Sequence, residues 1–323
     1  MNKIMSPKVS IIMPVFNTGK YLDEAIESVL GQQASTDGAV PDFELVVVDD
    51  HSTDPHTLEI LKRYSSADPR VTVLTNKRSK GAAGARNTGI LHSQGVWIGF
   101  LDSDDILTPQ SLAARWHAIS ENPSIDWIGA KFKLLKSKSN AAGVPFFETA
   151  KDLVGDIHPN NPFPPPKCLQ RPVEEFSKSC MIGIMTVLIK RELIIEKGMF
   201  NEKLRRAEDY HLWFQCAFQH DLWILDADIA YYRIHSASLT HGDAPKLLFE
   251  DAMIELLLKD PQGMPHKDLL LKRFDLVMQD NCYFYRGKRQ FGTALRNTLQ
   301  WLTKRPGNPA AWKELLACCL RVA

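Results

Sequence analysis

Three short acidic stretches carry residues that could do chemistry. Asp102-Ser103-Asp104 sets two carboxylates one residue apart, and Asp105 adds a third. In a partly dry cleft these charges repel one another, and a bound divalent cation relieves the repulsion. A set of hard oxygen ligands suits Mg2+ or Mn2+, which keep positions for water and phosphate. The same residue types also serve as turn formers and helix N-caps. Asp49-Asp50-His51-Ser52-Thr53-Asp54 could present a carboxylate to a nucleobase or ribose, as an acid does in dinucleotide folds. Taken alone it reads rather as a capped turn ahead of a helix at Thr57. Glu208-Asp209 opens a helix, where the dipole stabilises acids whatever else they do.

The run Gly81-Ala82-Ala83-Gly84-Ala85-Arg86-Asn87 is neither a Walker loop nor a GxGxxG fingerprint. It combines close-approach glycines with an arginine at a helix start, which suits a pyrophosphate. His235 follows Tyr231-Tyr232 at a strand end. A lone histidine there is more often structural than a ligand. The six cysteines form no CxxC pair and no zinc spacing, so they read as free or buried thiols of a reducing compartment.

The elements that position these groups alternate in the first half. Val9–Val15, Phe43–Val48, Val71–Thr75 and Val96–Leu101 are apolar runs of buried strands. Leu22, Ala25, Ile26, Val29 and Leu30 recur at helical spacing, and further helices follow at Thr57–Tyr64, after Gly81 and after Pro109. This order predicts a parallel sheet with helices on both faces. Ligands of such sheets sit beyond the carboxyl ends of the strands, where the acids fall. The second half predicts strands at Trp127–Leu135 and Met185–Ile189, a long Pro-rich loop around 158–167, a helix over Glu208–Phe218, and a short strand before Tyr231. From about residue 244 the pattern is helical.

Composition narrows the classes. The 323 residues carry 39 Lys and Arg against 38 Asp and Glu, a net charge of +1, with 44% hydrophobic and 24% charged residues. That excludes a disordered, collagen-like or disulfide-scaffold chain and a generally basic nucleic-acid binder, so no nucleic-acid partner is expected. No apolar run reaches the ~18 residues of a membrane span. The N-terminal stretch reads as a first strand rather than a signal peptide, which implies the cytosol.

Taken in order, VSIIMPVFN (Val9–Asn17), YLDEAIESVLGQ (Tyr21–Gln32), ELVVVDDHSTD (Glu44–Asp54), GAAGARNTGI (Gly81–Ile90), GFLDSDDILTP (Gly99–Pro109), FNEKLRRAEDYHLW (Phe200–Trp213) and YYRIHSASLT (Tyr231–Thr240) resemble the family-2 inverting glycosyltransferases. The resemblance covers roughly residues 8–240. It implies an α/β GT-A fold, the Rossmann-like nucleotide-diphospho-sugar transferase architecture. This has a mostly parallel sheet with helices on both faces, here with a C-terminal helical appendage. Residues 1–243 would form the transferase domain and 244–323 the appendage.

The roles it implies are specific. Asp50 matches the acid that binds uracil and ribose, and Pro14 and Phe16 flank the base. Arg86 lies near the donor phosphates. Asp102 and Asp104 match the metal-binding DxD, with Ser103 between them at the donor, and His235 matches a histidine near the pyrophosphate or metal. Asp209 matches the general base. The cofactor would be Mn2+ or Mg2+, the donor a UDP-sugar, and the acceptor a glycan or lipid-linked hydroxyl in polysaccharide or glycoconjugate synthesis. Two departures stand out. His51 replaces the usual glycine, which is tolerable if the backbone there is left-handed. The loop over residues 31–42 is longer than usual.

Other readings fit less well. A catalytically silent nucleotide-sugar binding or scaffold module need not keep Asp209 and both DxD acids. A nucleotidyltransferase needs a Gly-rich loop with Arg and Lys where PVFNTGKYL stands. An NAD-dependent oxidoreductase needs a GxGxxG after the first strand. In the appendage, Leu256, Leu257, Leu258, Lys259, Trp301, Lys304, Arg305, Trp312 and Lys313 mix apolar and basic character. That fits contact with the inner face of a membrane, or helices packed on the catalytic domain or on a second copy.

Overall fold

The structure, a computed structural model, describes residues 7–136, 138–139, 145–146, 163–235 and 244–322. Its strands are β1 (Val9–Val15), β2 (Phe43–Asp49), β3 (Val71–Thr75), β4 (Trp97–Phe100), β5 (Ile106–Leu107), β6 (Trp127–Lys136), β7 (Lys138–Ser139), β8 (Pro145–Phe146), β9 (Lys167–Leu169), β10 (Leu188–Lys190) and β11 (Leu222–Ile234). Its helices are α1 (Gly19–Leu30), α2 (Pro55–Ala67), α3 (Ala82–His92), α4 (Ser111–Glu121), α5 (Val173–Lys178), α6 (Arg191–Glu196), α7 (Glu208–Ala217), α8 (Glu250–Leu257), α9 (Lys267–Gly287), α10 (Phe291–Lys304) and α11 (Pro309–Cys319). Of the Pro-rich stretch expected as a loop, residues 158–162 lie outside the described residues, and β9 begins at Lys167.

Two compact units share the chain, and their segments alternate along it. The first comprises residues 1–172, 180–203 and 219–235. Its main sheet runs β3-β2-β1-β4-β10-β6-β11-β5, with β9 also on β11. β1 pairs in parallel with β2 and β4, and β2 with β3. This is the expected parallel half. β10 is antiparallel to both β4 and β6, and β11 is parallel to β6 but antiparallel to β5 and β9. The sheet is therefore mixed. β10 is three residues long, and residue types in so short a run do not encode strand direction.

β11 is longer than the short strand read from the sequence and includes Tyr231 and Tyr232. Its register against β6 shifts between Leu225 and Asp228 and again before Tyr231. Asp226 and Asp228 break the apolar pattern at that irregularity, which hides the continuity of the strand. Likewise, Met185 falls in a 3-10 turn, Ile184–Thr186, ahead of β10. Core side chains Val9, Ile11 and Met13 of β1, Leu45 and Val47 of β2, and Leu22, Ala25, Ile26 and Val29 of α1 are all inaccessible to solvent. The period of α1 is the one expected, with the buried positions on one face. This burial holds the carboxyl ends of β1, β2 and β4 rigid.

The second unit comprises residues 173–179, 204–218 and 236–323. Phe176, Tyr210, Phe214 and Phe218 form a chain of tilted aromatic pairs, and the Tyr210 hydroxyl donates to the Phe176 carbonyl. Arg273 of α9 is bidentate on Glu250 at 2.8 and 2.9 Å and donates to the Lys178 carbonyl at 2.6 Å. Of the mixed apolar and basic set, Leu257 and Trp301 are core residues, and the Trp301 indole donates to Asp275 at 2.7 Å. Trp312 and Lys313 are exposed. No helix among the described residues is long and apolar enough to cross a membrane.

Candidate active site

The first unit collects its polar groups where β1 is flanked by β2 and β4. The register sets Val15 beside Asp49 on one side and Ile12 beside Phe100 on the other. The carboxyl ends of the three strands lie together, at the point from which the sheet grows in both directions.

On the β2 side the six-residue acidic turn divides its labour. Asp49 accepts from Ser52 N–H at 3.0 Å. Asp54 caps α2, accepting from Thr57 N–H at 2.8 Å and from its hydroxyl at 2.6 Å, and those bonds hold its carboxyl below the usual range. Asn17 braces the turn, its Oδ1 accepting from the N–H groups of Thr53 and Asp54 at 2.8 and 2.9 Å. Asp50 alone is turned inward and buried. Its Oδ1 accepts from Asn76 at 2.6 Å and its Oδ2 from Gly81 N–H at 2.8 Å. Gly81 has φ +119°, a conformation few other residues adopt, and that aims its N–H at Asp50. A Cβ on Gly84 would stand 1.9 Å from the Ser79 carbonyl, so only glycine lets α3 close on this loop. His51 has φ +65°, the left-handed backbone that its replacement of glycine requires.

Between the two sides stand Pro14, half-buried in β1, and Phe16, 44% exposed with the Lys80 ammonium 4.5 Å from its ring centroid.

On the β4 side the acids are met by basic side chains. Arg86, buried in α3, donates to Asp102 at 2.6 Å, and its guanidinium lies 5.5 Å over the Phe200 ring. Asp104 meets His235 Nε2 at 3.0 Å, and the His235 ring packs on Tyr21 at 4.8 Å. Ser103 accepts from the Thr18 hydroxyl at 2.8 Å. Arg233 N–H donates to Asp105 at 2.9 Å, its Nε to the Asp104 carbonyl at 2.7 Å, and its Nη2 to Glu24 at 2.5 Å. Burial, followed by the charge of Asp102, raises the Asp104 carboxyl above its ordinary value, with His235 opposing. Asp105 is raised further, by burial and then by Asp104 and Asp102.

These directions state the chemistry of the donor set. Three carboxylates share one turn, Asp105 buried and Asp102 and Asp104 half-buried, and burial and mutual repulsion disfavour the charged forms of Asp104 and Asp105. The set fits a hard divalent cation. Asp102 and Asp104 now face Arg86 and His235, and among the described residues no group of three or more His, Cys, Asp or Glu is already arranged around a point.

Asp209 belongs to the second unit, in the first turn of α7, where its carboxylate accepts from Tyr210 N–H at 2.7 Å. Ala207 precedes the helix with φ +58°. His211, one residue beyond Tyr210, is lowered to about 4 by burial, against the charge of Asp260.

Several groups here were not singled out from the sequence. Asn76 follows the end of β3, so the strand-end rule that picked out Asp50 and Asp102 covers it too. It links Asp50 to Ser79, Arg78 and Thr88. Glu202 lies in the same run as Asp209, with no strand end or helix start of its own to mark it. It accepts from Ser79, Asn87 and Arg78. Arg233 carries no local signal, because its partners are Glu24 and the Asp104–Asp105 turn.

A mixed sheet with acids at the carboxyl ends of β2 and β4 defines the GT-A class of glycosyltransferase fold. Comparisons with known proteins agree. A S. aureus TarS 1–349 structure in complex with UDP superposes with TM-score 0.60 at 21% identity, covering 97% of this chain and 87% of that one. The mannosyltransferase PcManGT from Pyrobaculum calidifontis, in complex with GDP-Man and Mn2+, gives 0.58 at 16% identity over 99% and 82%. UDP-Glc:alpha-D-GlcNAc-diphosphoundecaprenol beta-1,3-glucosyltransferase WfgD of Escherichia coli is 29% identical over 241 residues, which is 74% of this chain and 82% of that protein. The family model of Glycosyl transferase family 2 matches residues 10–155. Over that span the chain is similar to glycosyl transferase family 2.

Proposed function

We propose that this chain moves a sugar from a nucleotide diphosphate, UDP-linked, to an acceptor hydroxyl in one inverting displacement. The observation that carries the proposal is the pairing of Asp50 and the Asp102–Asp105 turn on the two sides of β1. One acid is held by Asn76 and Gly81, and the other turn crowds three carboxylates whose charges repel. The first suits a nucleoside, the second a diphosphate with its metal. UDP is favoured because WfgD is named for a UDP-Glc donor and the TarS structure holds UDP.

In this reading Pro14 and Phe16 flank the base, Asp50 takes the uracil and ribose, and Arg86 and Ser103 attend the diphosphate. Asp102, Asp104 and His235 would hold Mn2+ or Mg2+, consistent with the Mn2+ of PcManGT. The metal would supply charge neutralisation to the departing nucleotide. Asp209 takes the proton of the acceptor hydroxyl, and an aspartate is ionised at neutral pH without special tuning. The hydroxyl oxygen then forms its bond to the anomeric carbon as the bond to the diphosphate breaks on the opposite side. We assign this role to residues 1–243 and place the enzyme in the cytoplasm, acting on a glycan or lipid-linked acceptor.

A thermal-shift panel of nucleotide sugars with and without Mn2+ tests the reading. A donor at ~100 times its Kd adds ~2.7 kcal/mol of stability, so a UDP-sugar should raise the melting temperature only with metal present. No response to any nucleotide sugar would overturn the proposal. Binding without donor hydrolysis or transfer would assign the chain to the silent-module class instead.

A further inference from the structure

The last two helices of the second unit carry a pattern that sugar transfer does not use. Residues 288–323 hold seven Lys and Arg against one acid, Glu314. That acid is buried and bound to Arg286 at 3.1 Å, so it does not offset the surface cations. Arg305 is held by Asp275 at 3.0 Å, and Lys304 lies 3.5 Å from Glu255. Arg289, Arg296, Lys313 and Arg321 are exposed, with no ion pair to an acid among the described residues.

On α11 and its C-cap residue Leu320 the side chains are sorted by face. Ala311, Glu314 and Cys318 point inward and are buried. Trp312, Leu316 and Leu320 recur every four residues and share the opposite face, 51%, 62% and 73% exposed. The Trp312 indole N–H already donates to the Pro306 carbonyl at 2.7 Å, so the exposed part of its ring is hydrocarbon. Lys313 stands beside Trp312 on the same exposed side.

We propose that this face of α11, with the basic surface of residues 288–321, docks on an anionic lipid bilayer. A stripe of Trp and Leu bordered by basic residues gains by entering the headgroup and acyl boundary, while the cations meet anionic headgroups. Nucleic acid would satisfy the charge but leave the Leu pair in water. A second copy of the same face would bring like charges together. The inference does not depend on the transferase reading, because it uses none of the residues assigned to the donor, the metal or the acceptor.

The test is co-sedimentation of the full chain with vesicles, without nucleotide, comparing phosphatidylcholine alone with phosphatidylcholine containing 30 mol% phosphatidylglycerol (about one anionic headgroup in three). Binding is expected to the anionic vesicles only and to weaken as salt rises. Lys313→Glu should weaken it by at least roughly fivefold. The double substitution Trp312→Ser, Leu316→Ser should weaken it by roughly tenfold with the thermal transition retained, since both side chains are exposed. Three outcomes would overturn the proposal. The wild type could stay in the supernatant with anionic vesicles. It could bind as strongly as both variants. Or sedimentation could reveal a dimer that Leu316→Glu dissolves, which would assign the face to a second copy.

Discussion

Glu202 reaches back 123 residues to Ser79, accepting from its hydroxyl at 2.6 Å and its N–H at 3.2 Å. The same carboxylate takes Asn87 at 2.8 Å and Arg78. Asn87 in turn exchanges two bonds with the backbone of Phe200, at 2.8 and 3.0 Å. The loop that carries Asn76 and Gly81, the two donors to Asp50, is thus fastened from outside by one acid. Burial disfavours the Glu202 charge, but bonds from Ser79, Asn87 and Arg78 outweigh it and bring the carboxyl down to about 2.

A pH dependence follows from that value. A carboxyl depressed on folding adds stability that is full above its unfolded value, 4.5, and lost as pH falls through about 2. Glu202→Gln should therefore melt below the wild type at pH 7. The gap should close as pH falls from 4.5 toward 2. Melting curves at pH 7, 4.5 and 3 check this, and a gap independent of pH would mean that the charge of Glu202 adds nothing to folding.

Asp209→Asn keeps size and hydrogen bonding but removes the proposed base. Donor binding should stay within error of the wild type, while turnover falls by roughly 10²–10⁴-fold. Nucleotide-sugar calorimetry and initial rates on one preparation separate the two. Near-normal turnover would remove Asp209 from the role.

Asp104→Ala opens the Asp102–Asp105 turn at its centre. Metal-dependent UDP affinity should be lost. Asp105, relieved of one like charge, should hold the turn no less firmly, because Arg233 N–H still donates to it. Calorimetry with and without Mn2+ is the measurement. Unchanged Mn2+-dependent affinity would move the metal elsewhere.

His51 is exposed and sits at φ +65°. Glycine has no Cβ to strain there, so His51→Gly should raise stability or leave it level, by up to ~1 kcal/mol. His51→Val should lower it by roughly 1–2 kcal/mol, since a β-branched residue is least suited to this region. Urea unfolding of the three chains ranks them, and a valine variant as stable as the wild type would refute the strain.

Much of the first unit could be read without coordinates. Continuous apolar runs marked β1, β2, β3 and β4, and the acidic ends of β2 and β4 marked the candidate site, because in a parallel sheet only the strand ends meet solvent. The left-handed turn at His51 was legible from the departure itself. The second half was less readable. The antiparallel entry of β10 and the continuity of β11 through Asp226 and Asp228 depend on neighbours far off in sequence. Trp301 and Trp312 look alike in a string, yet one is sealed against Asp275 and the other is half exposed.

Residue order alone determined which groups could do chemistry and on which element each would ride. Backbone periodicity and turn chemistry act over a few residues, and the chain states them directly. Only the tertiary structure decided the partners. Arg86 met Asp102, His235 met Asp104 across 131 positions, and Glu202 met Ser79 across 123. Those pairings come from sheet order and burial, which bring distant segments within the ~3 Å reach of a hydrogen bond.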